Sequence, residues 1–241
     1  LETSSRNSEV IHSGIYYPKN SLKSSLCIQG NHLIYQYCEH HNVKYIKSGK
    51  LIIANNKREY SELIKLKTNA ELLNINHSLL DKKDVKRLEP MINAKHAIHI
   101  NSSGVIDSHA FMRSMFDTLN DYDTTIVFKT KVTEIDKISK GYMLKIKNPD
   151  NTFSSISSKI VINCSGLSSN QTSSSLKIKD DDYKTHYWKG SYFYIRNKNF
   201  KKIKHLIYPT PDYQLSGLGI HLTKDSNGRV KLGPDSEYLG T

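Results

Sequence analysis

The chain has 241 residues, 37% of them hydrophobic and 24% charged, with a formal net charge of +12. That composition excludes a disordered chain, the length allows one large or two small domains, and no apolar run approaches the roughly 20 residues of a membrane span. The lysines are scattered or in short clusters such as Lys82-Lys83 and Lys198 to Lys204, with no nucleic-acid-binding signature beside them, so nucleic acid is not expected, and the charge is merely consistent with an anionic substrate and a pyrophosphate cofactor.

Residues 1–20 mix Ser, Arg, Asn, His, Gly and Tyr without a period and read as an irregular segment. Leu22, Leu26, Cys27, Leu33, Ile34, Tyr37 and Cys38 then recur at helical spacing, which predicts a helix from Ser21 to His41. Tyr45-Ile46 and Leu51 to Ala54 read as strands around a turn at Ser48-Gly49, and Lys57 to Asn74 as a second helix. Asp81 is a good N-cap for a third, with Asp84 in its first turn and Pro90 beyond its end. Ala97 to Ile100 is a short strand, and Asp107 caps a helix to Asn120 with Phe111, Met115 and Leu119 on one face.

From Thr124 the pattern becomes β. Strands are expected at 125–128, 131–138, 142–147 and 153–157, with turns at Gly141 and Asn148 to Asn151. Lys159 to Asn163 reads as a short buried strand. Segments 187–195, 205–208, 219–223 and 229–232 read as an antiparallel sheet. The cysteines Cys27, Cys38 and Cys164 are odd in number and form no CxxC, as expected of reduced thiols in a cytoplasmic protein. Cys27 and Cys38 share a helix face and read as small buried hydrophobes. His40-His41, His96 and His99 show no metal-ligand spacing, so no metal is expected.

The sharpest motif is residues 3–14, TSSRNSEVIHSG. Four hydroxyls, an Arg and an Asn within six residues could bind a diphosphate through charge-assisted hydrogen bonds, or form an ordinary polar loop. His12-Ser13-Gly14 follows, and the glycine permits backbone to approach a flat ligand.

The string from Thr3 to Pro18 resembles the stretch after the first βαβ unit in the L-2-hydroxyglutarate dehydrogenase/oxidase family, FAD-dependent members of the D-amino-acid-oxidase-like superfamily. Further blocks resemble the family in order: Ser48 to Ile52, Leu88 to Pro90, Gly104 to Ala110, Val161 to Leu167, Lys189 to Phe193, Ile207 to Pro211, Leu218 to Thr223, and Gly233 to Asp235. The resemblance implies an α/β two-domain fold. A discontinuous Rossmann-like FAD domain would take residues 1–44 and 107–178, and an antiparallel-sheet substrate domain residues 45–106 and 179–241.

It also implies a site. Ser4, Ser5, Arg6 and Ser8 would lie along the FAD pyrophosphate and ribityl chain, and His12-Ser13-Gly14 would approach the isoalloxazine. Val132 would meet the adenine through its backbone, or be a core strand residue, and Ser165-Gly166 would let backbone approach the cofactor. Oxidising a secondary alcohol needs a proton acceptor working near neutral pH, which favours histidine; His221 and His12 are the two candidates. Lys189, Tyr192 and Tyr208 are candidates to hold a dicarboxylate, or are a surface lysine and core tyrosines.

The implied reaction is L-2-hydroxyglutarate to 2-oxoglutarate, with electrons passing to oxygen, a quinone or a carrier protein. Another superfamily substrate (glycerol 3-phosphate or an amino acid) and a non-catalytic fragment or basic binding module are the alternatives. The expected location is cytoplasmic, with peripheral attachment to the inner membrane left open. The sequence departs from the family in having no GxGxxG and no acidic residue closing a second strand. The resemblance therefore implies a piece truncated at both ends that binds FAD weakly by itself.

Overall fold

The computed structural model describes residues 2–174, 176, 184–212 and 219–240; Leu218 and the expected boundary at 178/179 lie outside them. The chain divides into two compact units, one of residues 7–116 with 189–237, the other of residues 1–6 with 117–188 and 238–241.

The larger unit opens with β1 (Val10–Ile11) and α1 (Leu22–His40). Ser21 caps α1, its hydroxyl accepting from Ser24 N–H at 3.1 Å. There follow β2 (Tyr45–Ile46), β3 (Lys50–Ala54), α2 (Lys57–Leu72), β4 (His77–Asp81), α3 (Lys82–Leu88), β5 (His96–Ile100), β6 (Gly104–Ile106) and α4 (Ser108–Leu119). Asp81 accepts from Lys83 and Asp84 N–H as expected of an N-cap, and Asp107 accepts from Ala110 N–H at 2.9 Å. The smaller unit holds β7 (Lys131–Ile138), β8 (Gly141–Lys147), β9 (Phe153–Ser158) and α5 (Ser169–Ser174). After β10 (Tyr187–Lys189) the chain forms β11 (Phe193–Tyr194), β12 (Leu206–Pro209), β13 (His221–Lys224) and β14 (Val230–Gly233), and β15 (Glu237–Gly240) pairs with β10.

The larger unit is built on a seven-stranded sheet of order β11-β14-β13-β12-β3-β5-β4. All its neighbours are antiparallel except β3 and β12, which run parallel with Lys50 opposite Leu206 and Ile52 opposite Tyr208. The parallel pair needs a long connection, and more than a hundred residues separate these strands in the chain.

Period-two alternation divides the strands between two cores. On one face Ile52, Ala54, Ile98, Ile100, Leu206 and Tyr208 pack against Leu63, Leu66 and Ala70 of α2 and against Ile15. On the other, Leu51, Ala97, Ile207 and Leu222 pack with Val85 of α3. His221, one residue before Leu222, therefore faces the first core beside Tyr208. A third cluster joins Tyr35 and Cys38 of α1 to Ile11, Val43 and Ile106, where β6 pairs with both β1 and β2.

In the smaller unit β7, β8 and β9 form an antiparallel meander in which Ile135 is buried. Two expectations fail here. Residues 125–128 form no strand, and Val127 and Phe128 are exposed. Lys159 to Asn163 is neither a strand nor buried, with Ile160 75% and Ile162 79% exposed. A β-branched run becomes a strand only where a neighbouring strand pairs with it, and no described strand pairs with either segment. Of the cysteines, Cys38 is buried, Cys27 half-buried and Cys164 exposed. No described helix is long and apolar enough to cross a membrane.

Candidate active site

The strand β13 starts with a buried histidine. His221 Nδ1 lies 2.8 Å from the Gly219 carbonyl. A carbonyl oxygen only accepts, so Nδ1 carries the hydrogen and Nε2 holds the lone pair. The ring stacks on Tyr208 with centroids 3.8 Å apart. Burial lowers the His221 pKa to about 4; the hydrogen bond to Gly219 works in the opposite sense, and the charge of Lys50 adds to the lowering.

His12 lies in the same electrostatic neighbourhood. Burial lowers it to about 3, and the charges of Lys50 and His221 push the same way. Its backbone is pinned where β1 runs into the loop, since the His12 carbonyl accepts from Asn31 Nδ2 at 2.9 Å and from Cys27 Sγ at 3.7 Å. Ser13 is buried, with a hydroxyl that has no hydrogen-bond partner among the described residues. Gly14 has φ +88°, and a Cβ there would stand 3.1 Å from Ile28 Cγ1, so the position favours glycine.

No motif singles out Lys50. It is fully buried at the start of β3, its Nζ 4.0 Å from the centroid of Tyr208 and 5.4 Å from that of Tyr16. Nζ has no hydrogen-bond partner among the described residues, and burial lowers its pKa to about 7. The signal that would have found it is register, because Lys50 shares the inward face of Ile52 and Ala54. Gly49 before it has φ +70° and fits against His99 and His205, where a Cβ would come 2.7 Å from His99 Nε2.

Tyr208 is buried, and burial raises its pKa. Tyr192 is half-buried; burial raises its phenol, against a hydrogen bond from the Ser8 side chain. The structure thus gathers His12, Tyr208 and His221 with Lys50, and joins Ser8 to Tyr192. Lys189 is exposed and bound to Glu237 at 3.0 Å.

The remaining expected residues belong to the smaller unit. Residues 2–6 form turns, with Ser5 N–H donating to the Glu2 carbonyl and Arg6 N–H to that of Thr3. Ser4 and Arg6 are exposed, and Ser5 is half-buried. Val132, on β7, and Ser165 line one cleft of about 840 Å³ together with Glu2, Asn163 and Thr172. Gly166, at φ +57°, begins a short 3-10 turn beside it, and Ser168 of that turn lines the cleft. Val132, Ile135 and Leu144 give the cleft an apolar wall, and Asn163, Ser165 and Thr172 a polar edge. Such a lining fits a flat heteroaromatic group. In the larger unit, the orphaned Ser13 hydroxyl beside Gly14 fits a polar ligand close to the backbone. Each lining, taken by itself, suits part of a nucleotide cofactor. Among the described residues no group of His, Cys, Asp and Glu could hold a metal ion.

The model of the FAD dependent oxidoreductase family matches residues 1–241, and the chain belongs to that family. It is 31% identical over 270 residues to the mitochondrial L-2-hydroxyglutarate dehydrogenase of Arabidopsis thaliana, covering 98% of this chain and 55% of that protein. It is 31% identical over 240 residues to the human mitochondrial L-2-hydroxyglutarate dehydrogenase, covering 95% and 51%. The chain therefore spans about half the length of the curated relatives it matches. Its fold is similar to that of an FAD-bound, dithionite-reduced L-alpha-glycerophosphate oxidase from Mycoplasma pneumoniae, with a TM-score of 0.87 at 24% identity over 100% of this chain and 63% of the other. Glycine oxidase from Geobacillus kaustophilus gives 0.81 at 16% identity, over 99% and 62%.

Proposed function

We propose that this chain serves the FAD-dependent oxidation of a small 2-hydroxy acid, L-2-hydroxyglutarate to 2-oxoglutarate. The observation that carries the reading is His221, a buried neutral imidazole whose Nδ1–H is committed to Gly219, so that Nε2 alone is the proton acceptor. The names of the sequence relatives support the substrate.

FAD, when bound, supplies the acceptor for the hydride from the carbinol carbon. Ser4, Ser5, Arg6, Val132, Ser165 and Gly166 of the smaller unit would hold it, with Ser8, His12, Ser13 and Gly14 of the larger. In this reading residues 1–44 with 107–178 serve the cofactor, and residues 45–106 with 179–241 the substrate. The proton of the substrate hydroxyl goes to His221 Nε2. An imidazole of pKa about 4 is a weak acceptor alone. The negative charge of a bound carboxylate raises it toward the working range. Tyr208 fixes the ring plane by stacking, and Tyr192 and Tyr208 offer phenols to the carboxylates, while Lys189 is engaged with Glu237. Electrons leave for oxygen, a quinone or a carrier protein.

The test is 2-oxoglutarate formation from L-2-hydroxyglutarate by the FAD-loaded enzyme and its His221→Asn variant. Loss of a general base lowers kcat by about 10²- to 10⁴-fold. Turnover of an amino acid or glycerol 3-phosphate in place of the hydroxy acid would move the reading to another substrate. Full activity in the variant would return the proton to His12.

A further inference from the structure

We infer that Lys50 is the counter-ion of this site, its buried amine balancing the negative charge of a carboxylate ligand held beside His221 and Tyr208. This rests on reading the cluster as a 2-hydroxy-acid site, and adds to it the residue that selects an anion.

The first argument is the side chain's cost. β3 puts Lys50 on the same face as Ile52 and Ala54, and none of the three is accessible to solvent. An apolar chain of the same length would fill that place without penalty. A buried amine without a hydrogen-bond partner is destabilising unless something compensates it. The second argument is the company it keeps. The groups facing it are His12 and Tyr16 from the N-terminal loop, Cys27 from α1, Tyr208 from β12 and His221 from β13. They are two imidazoles, two phenols and a thiol, with no carboxylate among them. Of these basic groups only Lys50 carries charge near neutral pH, and with no acid beside it an anion would complete the site. Lys189, by contrast, is exposed and already paired with Glu237.

Because Nζ is closed to solvent, it acts on the ligand through the field across the Tyr208–His221 stack rather than by a direct bond. Inside a protein such a field is far less screened than in water. A proton linkage follows. Burial leaves Lys50 half-protonated near pH 7. A carboxylate's charge favours the ammonium, so binding above that pH draws in a proton. His221 also gains a proton more readily beside an anion, but starting from about 4 its uptake falls at acid pH. Tyr208, its pKa raised by burial, holds its proton throughout this range.

The experiment uses the FAD-loaded enzyme and 2-oxoglutarate, followed by calorimetry at about pH 8 in two buffers of different ionisation enthalpy. Wild type should take up close to one proton on binding, and Lys50→Met none. Lys50→Met should also raise KM for L-2-hydroxyglutarate by about tenfold or more with a much smaller change in kcat. Wild type that binds without proton uptake overturns the proposal without needing any variant. So does an unchanged KM in Lys50→Met, or a loss of affinity that appears in Lys189→Met instead. If wild type turns over L-2-hydroxyglutarate and only these signatures fail, the counter-ion role alone falls. If wild type neither binds nor oxidises it, the reading of the site falls as well.

Discussion

His221 stacks on Tyr208 with ring centroids 3.8 Å apart and planes 28° apart, and both side chains are buried. Two strands fix this pair. β12 and β13 are antiparallel with Ile207 opposite Leu222, so Tyr208 and His221 fall side by side on the other face. Adding the bond from Nδ1 to Gly219 leaves the imidazole one orientation.

Replacing Tyr208 tests that constraint. Tyr208→Phe keeps the stack and should leave the thermal midpoint within a few degrees of wild type. Tyr208→Ala opens a cavity in the first core and should cost about 3–5 kcal/mol in a urea titration. In that variant the NMR titration of His221 should move up from about 4 as water reaches the ring.

Glu89 predicts an acid-sensitive contribution to stability. Its Oε1 accepts from the N–H groups of Lys204 and His205 and from His205 Nδ1, each at 2.7 Å. Burial works against the charge, but these bonds outweigh it and hold the carboxyl below its ordinary 4.5. A carboxyl lowered in the folded state stabilises above its unfolded pKa and stops doing so as pH falls through the folded value. Glu89→Gln should therefore cost about 1–3 kcal/mol at neutral pH. The gap from wild type should narrow below about pH 4.5, as measured by denaturant midpoints at several pH values.

Lys50 predicts the reverse sign. Its pKa falls from 10.5 to about 7 on folding, so between those values the unfolded chain binds more protons and stability rises with pH. Below about 7 the full penalty of burying the ammonium is present. Lys50→Met should raise the thermal midpoint by several degrees at pH 6 and by less at pH 9. A variant that is less stable than wild type at pH 6 would mean the amine has a partner that holds it.

The sequence shows the helices well because their signals are local. Asp81 and Asp107 announce two starts, and each side chain accepts the expected backbone N–H. β1, β2 and β6 are two or three residues long and pair across some sixty to ninety-five positions, which no local pattern reveals. Ile160 and Ile162 read as buried on hydropathy alone, but burial depends on a neighbour. At the site, His221 and Tyr208 were visible through family resemblance, while Lys50 hid behind its residue type. Only the alternation with Ile52 and Ala54 shows that a lysine is turned inward.

In the proposed reaction this site passes a hydride from a 2-hydroxy acid to FAD. Anaerobic mixing of the FAD-loaded enzyme with L-2-hydroxyglutarate tests it in one step by following the flavin's visible absorbance. Bleaching by L-2-hydroxyglutarate is expected, slowed by about 10²-fold or more in His221→Asn. Absorbance that stays unchanged with L-2-hydroxyglutarate but bleaches with glycerol 3-phosphate or an amino acid would contradict it.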